Sequence, residues 1–391
     1  MGELRPRLLL ITRNFPPMWG GMERLNWHLA EELSKTFDVR VVAPVGAAEH
    51  APGAVSVREV PLQPLRRFLL GAALAALAEA RRFRPQIVLA GSGLTAPMAL
   101  LAARACGART AAYVHGLDVV VPHPVYRALW LPALRRMNRV IANSAPTAEL
   151  ARDVGVASER IAIVHPGVDI PAPDPAARAR FRQRWNLPPD APVLLSVGRL
   201  TARKGLREFV QEVLPTVARA RPNVVLVIVG DAPKQALYAQ VQTPESILAA
   251  AREAGVELHV RLLGRIDEQA LHDAYFGADL HVFPVRDLPG DPEGFGMVAI
   301  EAAAHGLPTV AYATGGVVDA VREGQSGCLV TPGDAAGFAQ AVLATLASPL
   351  APEGCRTFAQ GLAWDEFGRR ITGSLPANPT NAIFRGLQEE P

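Results

Sequence analysis

Short runs of Val, Ile, Leu and Ala recur along nearly the whole chain, and most are followed by a longer amphipathic stretch. In the first half, strands are expected at Arg7–Thr12, Val39–Ala43, Val55–Val60, Gln86–Ala90, Thr110–Val114, Val140–Ala142 and Ile161–Val164. In the second half they are expected at Val193–Val197, Val224–Val229, Val260–Leu263, Leu280–Phe283 and Thr309–Ala311. Helical stretches lie between several of them, such as Met22–Lys35, Leu65–Arg82 and Ala96–Cys106. Strands that are apolar on both faces, with helices between them, imply a parallel sheet covered on both sides. The expected fold class is α/β.

A chain of 391 residues is long enough for two such domains. The Pro-rich stretch Pro166–Pro175 near the middle has the composition of a linker. Residues 1–170 are therefore expected as one doubly wound domain and 171–372 as a second, with a cleft between them. The tail 373–391, rich in Pro, Asn and Gly, could pack back on the first domain.

Composition narrows the function classes. The longest apolar run, Phe68–Ala78, is about half of what a membrane span needs, and Leu8–Thr12 is too short for a signal-peptide core. Cys106, Cys328 and Cys355 are scattered and show no metal spacing, which suggests reduced thiols in the cytoplasm, with one disulfide pair as the alternative, and no metal. The net charge of +3 is uneven. Residues 1–170 hold 20 Lys/Arg against 13 Asp/Glu, or +7, leaving −4 for the remainder. The excess centres on Arg66, Arg67, Arg81, Arg82 and Arg84, and on Arg135, Arg136 and Arg139. Such groups at the ends of apolar helices are either a solvated rim or a peripheral contact with an anionic membrane, here its inner face. They are not interleaved with aromatics, which argues against nucleic acid.

In open parallel sheets, ligands bind beyond the carboxyl ends of the strands, and four polar clusters fall at such places. Asn14–Met22 follows the first strand, and its Gly20 and Gly21 could offer backbone N–H groups to a diphosphate. Tyr113–Asp118 places His115 and Asp118 at a strand exit. Ser196–Gly205 carries Gly198, Arg199 and Lys204; two cations at a strand exit could neutralise charge on a leaving diphosphate. The fourth cluster, Glu293–Glu301, reads Glu-Gly-Phe-Gly-Met-Val-Ala-Ile-Glu and leads into a helix. Its glycines let the backbone approach a ligand, and Glu301 falls about one turn inside the helix.

Together these residues resemble the retaining glycosyltransferases of family 4, whose GT-B fold has two facing Rossmann-like domains. The resemblance spans Leu8 to about Leu346. It rests on the Gly20–Gly21 loop, His115, Gly198-Arg199 with Lys204-Gly205, Val229-Gly-Asp231, Leu263-Gly-Arg-Ile266, Glu293 with Glu301, and Thr314-Gly-Gly316. It implies a nucleotide-sugar donor linked to GDP or UDP, and a carbohydrate or lipid-linked acceptor. By that likeness Arg199 and Lys204 would hold the diphosphate, with Gly20 and Gly21 reaching it from the other domain. Glu301 would bind the ribose, and the backbone at Gly264, Arg265 and Ile266 would meet the base. Glu293 and the backbone of Gly294, Phe295, Gly296 and Met297 would grip the sugar and phosphate. His115 would contact the sugar, and Asp118 the acceptor. Relatives often read Gly-Gly-x-Pro-Glu where this chain has Gly315-Gly-Val-Val-Asp319, which sets any role of Asp319 apart. The absence of Asp-x-Asp fits a metal-independent reaction with no cofactor.

Three rivals remain from the residues. Gly91-Ser-Gly-Leu-Thr-Ala96 formally matches a dinucleotide fingerprint, but the next strand ends in Val114-His115 without the expected acid. A non-catalytic nucleotide-sugar binder would keep the same ligands without turnover. A phosphorylase or sugar-phosphate synthase of the same fold would differ only in acceptor.

Overall fold

The computed structural model describes residues 5–232 and 241–376. The chain divides into two compact units, Met1–Gly167 with Trp364–Pro391, and Val168–Ala363.

The first unit is a seven-stranded parallel sheet. Its strands are β1 (Arg7–Ile11), β2 (Asp38–Pro44), β3 (Ser56–Val60), β4 (Ile87–Ala90), β5 (Arg109–Val114), β6 (Arg139–Ala142) and β7 (Ile161–Ile163), in the order 3-2-1-4-5-6-7. The second unit has six parallel strands: β8 (Val193–Val197), β9 (Val225–Val229), β10 (Val260–Gly264), β11 (Leu280–Phe283), β12 (Thr309–Tyr312) and β13 (Gly327–Val330), in the order 10-9-8-11-12-13. Strand order reverses between β1 and β4, and again between β8 and β11. These switch points open a crevice at the carboxyl ends.

The apolar runs explain the layering. Leu8, Leu9, Leu10 and Ile11 are all fully buried, as only a strand with helices on both faces can be. On one face of the first sheet, helices Leu65–Phe83 and Ala96–Cys106 cover β1, β4 and β5 through Phe68, Ala72, Ala76 and Met98.

Twelve strands lie within one or two residues of the expected spans; β13 was not anticipated. It has four residues, starts on a glycine and runs along the sheet edge beside β12, so it carries little apolar signal. The division also differs from 170/171 and 372/373. The chain leaves the first unit at Gly167 and returns at Trp364, and Val168 N donates to Leu362 O (2.9 Å) where the two strands of chain pass. Helix Trp364–Ser374 belongs with the first unit because its apolar side is spent there. Trp364 stacks on His28 at 3.8 Å, Phe367 packs edge-on against Tyr113, and Lys35 pairs with Asp365 at 3.1 Å. Most of the expected tail, from residue 377, lies outside the described residues.

Candidate active site

In the second unit, β8 and β9 are each followed by a glycine, Gly198 and Gly230, and β10 ends on one, Gly264. Gly198 N donates to Val229 O (2.9 Å) and Gly230 N to Gly264 O (2.8 Å), so the ladder continues past the strands. Gly230 has φ +133, and a Cβ there would lie 1.9 Å from Gly198 O. Only glycine lets these backbones close.

Beyond Gly198 stands Arg199, exposed, followed by the short turn Ala202–Lys204. Lys204 turns inward. Its Nζ donates to Glu293 Oε2 at 2.7 Å and lies 4.6 Å above the centre of the Phe283 ring. Arg203 approaches the same carboxylate oxygen at 3.5 Å, donates to Pro292 O (2.6 Å) and pairs with Asp291 (3.2 Å). The Lys204 and Glu293 side chains are only 13% and 11% exposed. Charges so enclosed persist only when paired. Burial would raise the Glu293 carboxyl, but Arg203, Lys204 and Arg199 outweigh it and hold it at about 2. The Lys204 ammonium is pulled below its usual value by burial, against the opposing pull of Glu293. Behind the pair, His281 on β11 is driven down to about 3 by burial and by Lys204, and so stays neutral. Arg199, Arg203 and Lys204 face Asp291 and Glu293, which leaves an excess of positive charge at the strand ends.

Glu293 is fixed through its backbone. Gly316 N donates to Glu293 O (2.8 Å), and a Cβ on Gly316 would lie 2.0 Å from Gly294 O. The Thr314-Gly-Gly316 signature therefore serves backbone packing under the Glu293 loop. Phe295 is buried in the core, and Gly296 precedes helix Met297–Ala304, on whose second turn Glu301 stands. Glu301 Oε2 accepts from the Tyr275 hydroxyl at 2.9 Å, and the Tyr275 ring stacks on His305 at 4.9 Å. His305 Nδ1 in turn lies 2.7 Å from Glu301 O. Arg265 is exposed, and Ile266 packs against the apolar cluster around Phe181 and Leu195.

Two residues of this cluster escaped sequence reasoning. Arg203 lies between the two cations that were singled out, and its neighbourhood was the available signal. Tyr275 sits on a different helix, Glu268–Gly277, and carries no local signal at all.

The first unit holds the remaining residues. Gly20 caps helix Gly21–Ser34, where Glu23 already occupies the first turn and accepts from Asn14 Nδ2 at 2.7 Å. His115 follows β5, and its Nε2 lies 3.0 Å from Gly91 O. A carbonyl only accepts, so Nε2 carries the proton and a neutral ring leaves Nδ1 as an acceptor. Asp118 receives His115 N on one oxygen (2.8 Å) and Gly93 N on the other (2.7 Å). Its carboxylate thereby braces two turns. The same bond bears on the dinucleotide fingerprint: the Gly93 N–H is taken by Asp118, and a Cβ on Gly91 would meet Asn26 Oδ1 at 2.2 Å. That turn is packed shut against its own side chains.

The pairing makes an asymmetric prediction for stability. Lys204→Ala leaves Glu293 still balanced by Arg203, whereas Glu293→Ala leaves the enclosed Lys204 without its partner and Arg203 with Asp291 alone. Thermal denaturation should show the larger loss for Glu293→Ala, about 3 kcal/mol or more, and a clearly smaller one for Lys204→Ala. Because the Glu293 pKa is depressed, its contribution is complete above about pH 4.5 and fades as pH falls toward about 2. Glu293→Gln should flatten the acid limb of the stability profile in that window. Equal losses for the two alanine variants would refute the pairing.

Comparison with known proteins identifies the family. The family profile described as "Glycosyl transferases group 1" matches residues 191–348, and that described as "Glycosyltransferase Family 4" matches residues 19–171. A GDP-mannose-dependent alpha-(1-6)-phosphatidylinositol monomannoside mannosyltransferase of Mycolicibacterium smegmatis is 32% identical over 360 residues, covering 88% of this chain and 90% of that protein. D-inositol 3-phosphate glycosyltransferase 1 of Catenulispora acidiphila is 33% identical over 341 residues, covering 81% and 79%. Among solved structures, Anabaena HepE in complex with UDP and glucose superposes with a TM-score of 0.76 at 20% identity, covering 94% of this chain and 99% of that one. The chain belongs to the family 4 glycosyltransferases, nucleotide-sugar-dependent enzymes with the GT-B fold.

Proposed function

We propose that the enzyme moves a hexose from a GDP-linked donor to a hydroxyl of a phosphate-bearing polyol or lipid-linked acceptor, with retention of configuration. The observation that carries this reading is the Lys204–Glu293 pair with Arg203 behind it and Arg199 exposed beside it. A cation-rich strand end that already tolerates an enclosed carboxylate is suited to a diphosphate. The mannosyl relative, which acts on GDP-mannose by its name, favours GDP over the UDP held by HepE.

In this reading Arg199 and Lys204 take the diphosphate, as cationic side chains in place of a metal. Glu301, steadied by Tyr275, takes the ribose hydroxyls, and Gly264, Arg265 and Ile266 line the base. Glu293 and the start of helix Met297–Ala304 grip the sugar. The bond from the anomeric carbon to the phosphate oxygen breaks while the acceptor oxygen bonds to that carbon on the same face. The acceptor proton passes to the departing phosphate, whose growing charge the two cations stabilise. His115 presents Nδ1 as an acceptor for a sugar hydroxyl.

A panel of GDP-, UDP-, ADP- and dTDP-sugars tests the donor by thermal shift. At about a hundred times its dissociation constant the correct donor adds about 2.7 kcal/mol. The GDP-sugar should give the largest shift, and Lys204→Ala should lower kcat/KM with it by about a hundredfold or more. No shift from any donor would refute the reading.

The cytoplasmic membrane surface is the proposed place of action. No single helix among the described residues is long and apolar enough to cross a bilayer. Helix Leu65–Phe83, however, turns Leu70 and Leu74 outward, 67% and 70% exposed, with Arg66 and Arg67 at one end and Arg81 and Arg82 at the other. This pattern complements an anionic lipid surface. The second basic group is differently used: Arg135 and Arg139 donate to Val154 O and Glu159 O. Vesicles containing anionic lipid should bind the enzyme at low salt, and Leu70→Glu with Leu74→Glu should cut that binding at least tenfold. Equal binding to neutral vesicles, or none to either, would remove the idea.

A further inference from the structure

At the carboxyl end of β1 stands Arg13, only 9% exposed. Its Nε is buried without a partner, and no hydrogen bond or ion pair joins its guanidinium to another described residue. A guanidinium has five N–H donors and cannot discharge by losing a proton, so enclosing it unpaired is expensive. Glu23 offsets some of the charge, and its Oε1 accepts from Asn14 Nδ2. Burial lowers the Arg13 pKa below its usual value.

Arg13 is not isolated in this. Ile11 pairs with Ala90, Ala90 with Ala112, and Val114 with Ala142, so Arg13 and Ser92 continue one register level past β1 and β4, and His115 and Asn143 continue the next one past β5 and β6. Ser92 is 2% exposed and Asn143 4% exposed, and both Ser92 Oγ and Asn143 Oδ1 lack a partner. Arg13 and Ser92 thus stand side by side on adjacent strand ends, each with a buried polar atom that no protein group satisfies, and such groups call for a partner. They occur where ligands of open parallel sheets bind.

We propose that Arg13 is the anion-binding residue of a ligand subsite in the first unit, and that its ligand is a phosphate monoester or diester on a hydroxyl-rich acceptor. The orphaned hydroxyl and amide at Ser92 and Asn143 suit the hydroxyl groups of such a molecule, since a hydroxyl rotor and an amide can reorient toward it. This rests on the acceptor class proposed above and assigns that class a residue which no family motif marked. An anionic ligand would give the guanidinium the hydrogen-bonding counter-ion that Glu23 does not.

The test compares wild type, Arg13→Gln and Arg13→Lys by thermal shift with inorganic phosphate, an inositol phosphate and GDP. Removing an unpaired charge should leave the unliganded melting temperature of Arg13→Gln equal to or above wild type. Its apparent affinity for the inositol phosphate should fall at least tenfold, its GDP response should stay within twofold, and Arg13→Lys should recover part of the loss. A fall in GDP affinity with the inositol phosphate response intact would overturn the acceptor assignment and give the anion to the donor diphosphate. A lower melting temperature with both responses intact would overturn the subsite altogether. If wild type ignores GDP and every other nucleotide, the donor reading fails on its own, and the inositol phosphate arm still decides Arg13.

Discussion

The ion pair between Lys204 and Glu293 joins the loop after β8 to the loop after β11, and the second unit's site is organised around it. Neither charge can be enclosed alone. Each therefore fixes the other's loop, and Arg203 adds a second tie through Pro292 O and Asp291. Backbone contacts confirm the same geometry from outside. Gly205 at φ +67 would place a Cβ 2.1 Å from Pro284 O, and Gly316 lies against Gly294. The polar cluster and the glycines are one device: close backbones set the loops, and the enclosed charges lock them together.

Stability and function pull differently on these charges. Glu293 is held ionised far below the usual carboxylate range because cations surround it, so the site's own charges balance apart from Arg199. A diphosphate would bring more negative charge to a place where positive charge remains in excess. Arg13 in the first unit is the opposite case, a cation without any partner among the described residues. One site is prepaired internally, and the other is left incomplete. On the proposed function, that difference separates a donor end, which must release a charged product, from a subsite that takes its counter-ion from the acceptor.

Much of the architecture was legible in the sequence, because fully apolar strands leave few alternatives to a covered parallel sheet. The strand ends followed from the same pattern, and so did the polar clusters that decorate them. What stayed hidden depends on contacts across sequence distance. The edge strand β13, Gly327–Val330, has only three apolar residues after its glycine and escapes sequence reasoning. Helix Trp364–Ser374 returns to the first unit because of a stack on His28, some 330 residues earlier. Tyr275 meets Glu301 only once two helices pack, and Arg13 looks like any surface arginine until its burial is known. Asp118 was singled out for its place at a strand exit, yet its carboxylate serves two backbone N–H groups.

The central claim is that the cations after β8 hold the donor diphosphate. A crystal structure with a bound GDP-sugar tests it most directly. The account expects diphosphate oxygens within hydrogen-bonding distance of both Arg199 and Lys204, about 3 Å, with a ribose hydroxyl on Glu301. A diphosphate bound elsewhere, with the Lys204–Glu293 pair untouched and Arg199 still in solvent, would contradict it.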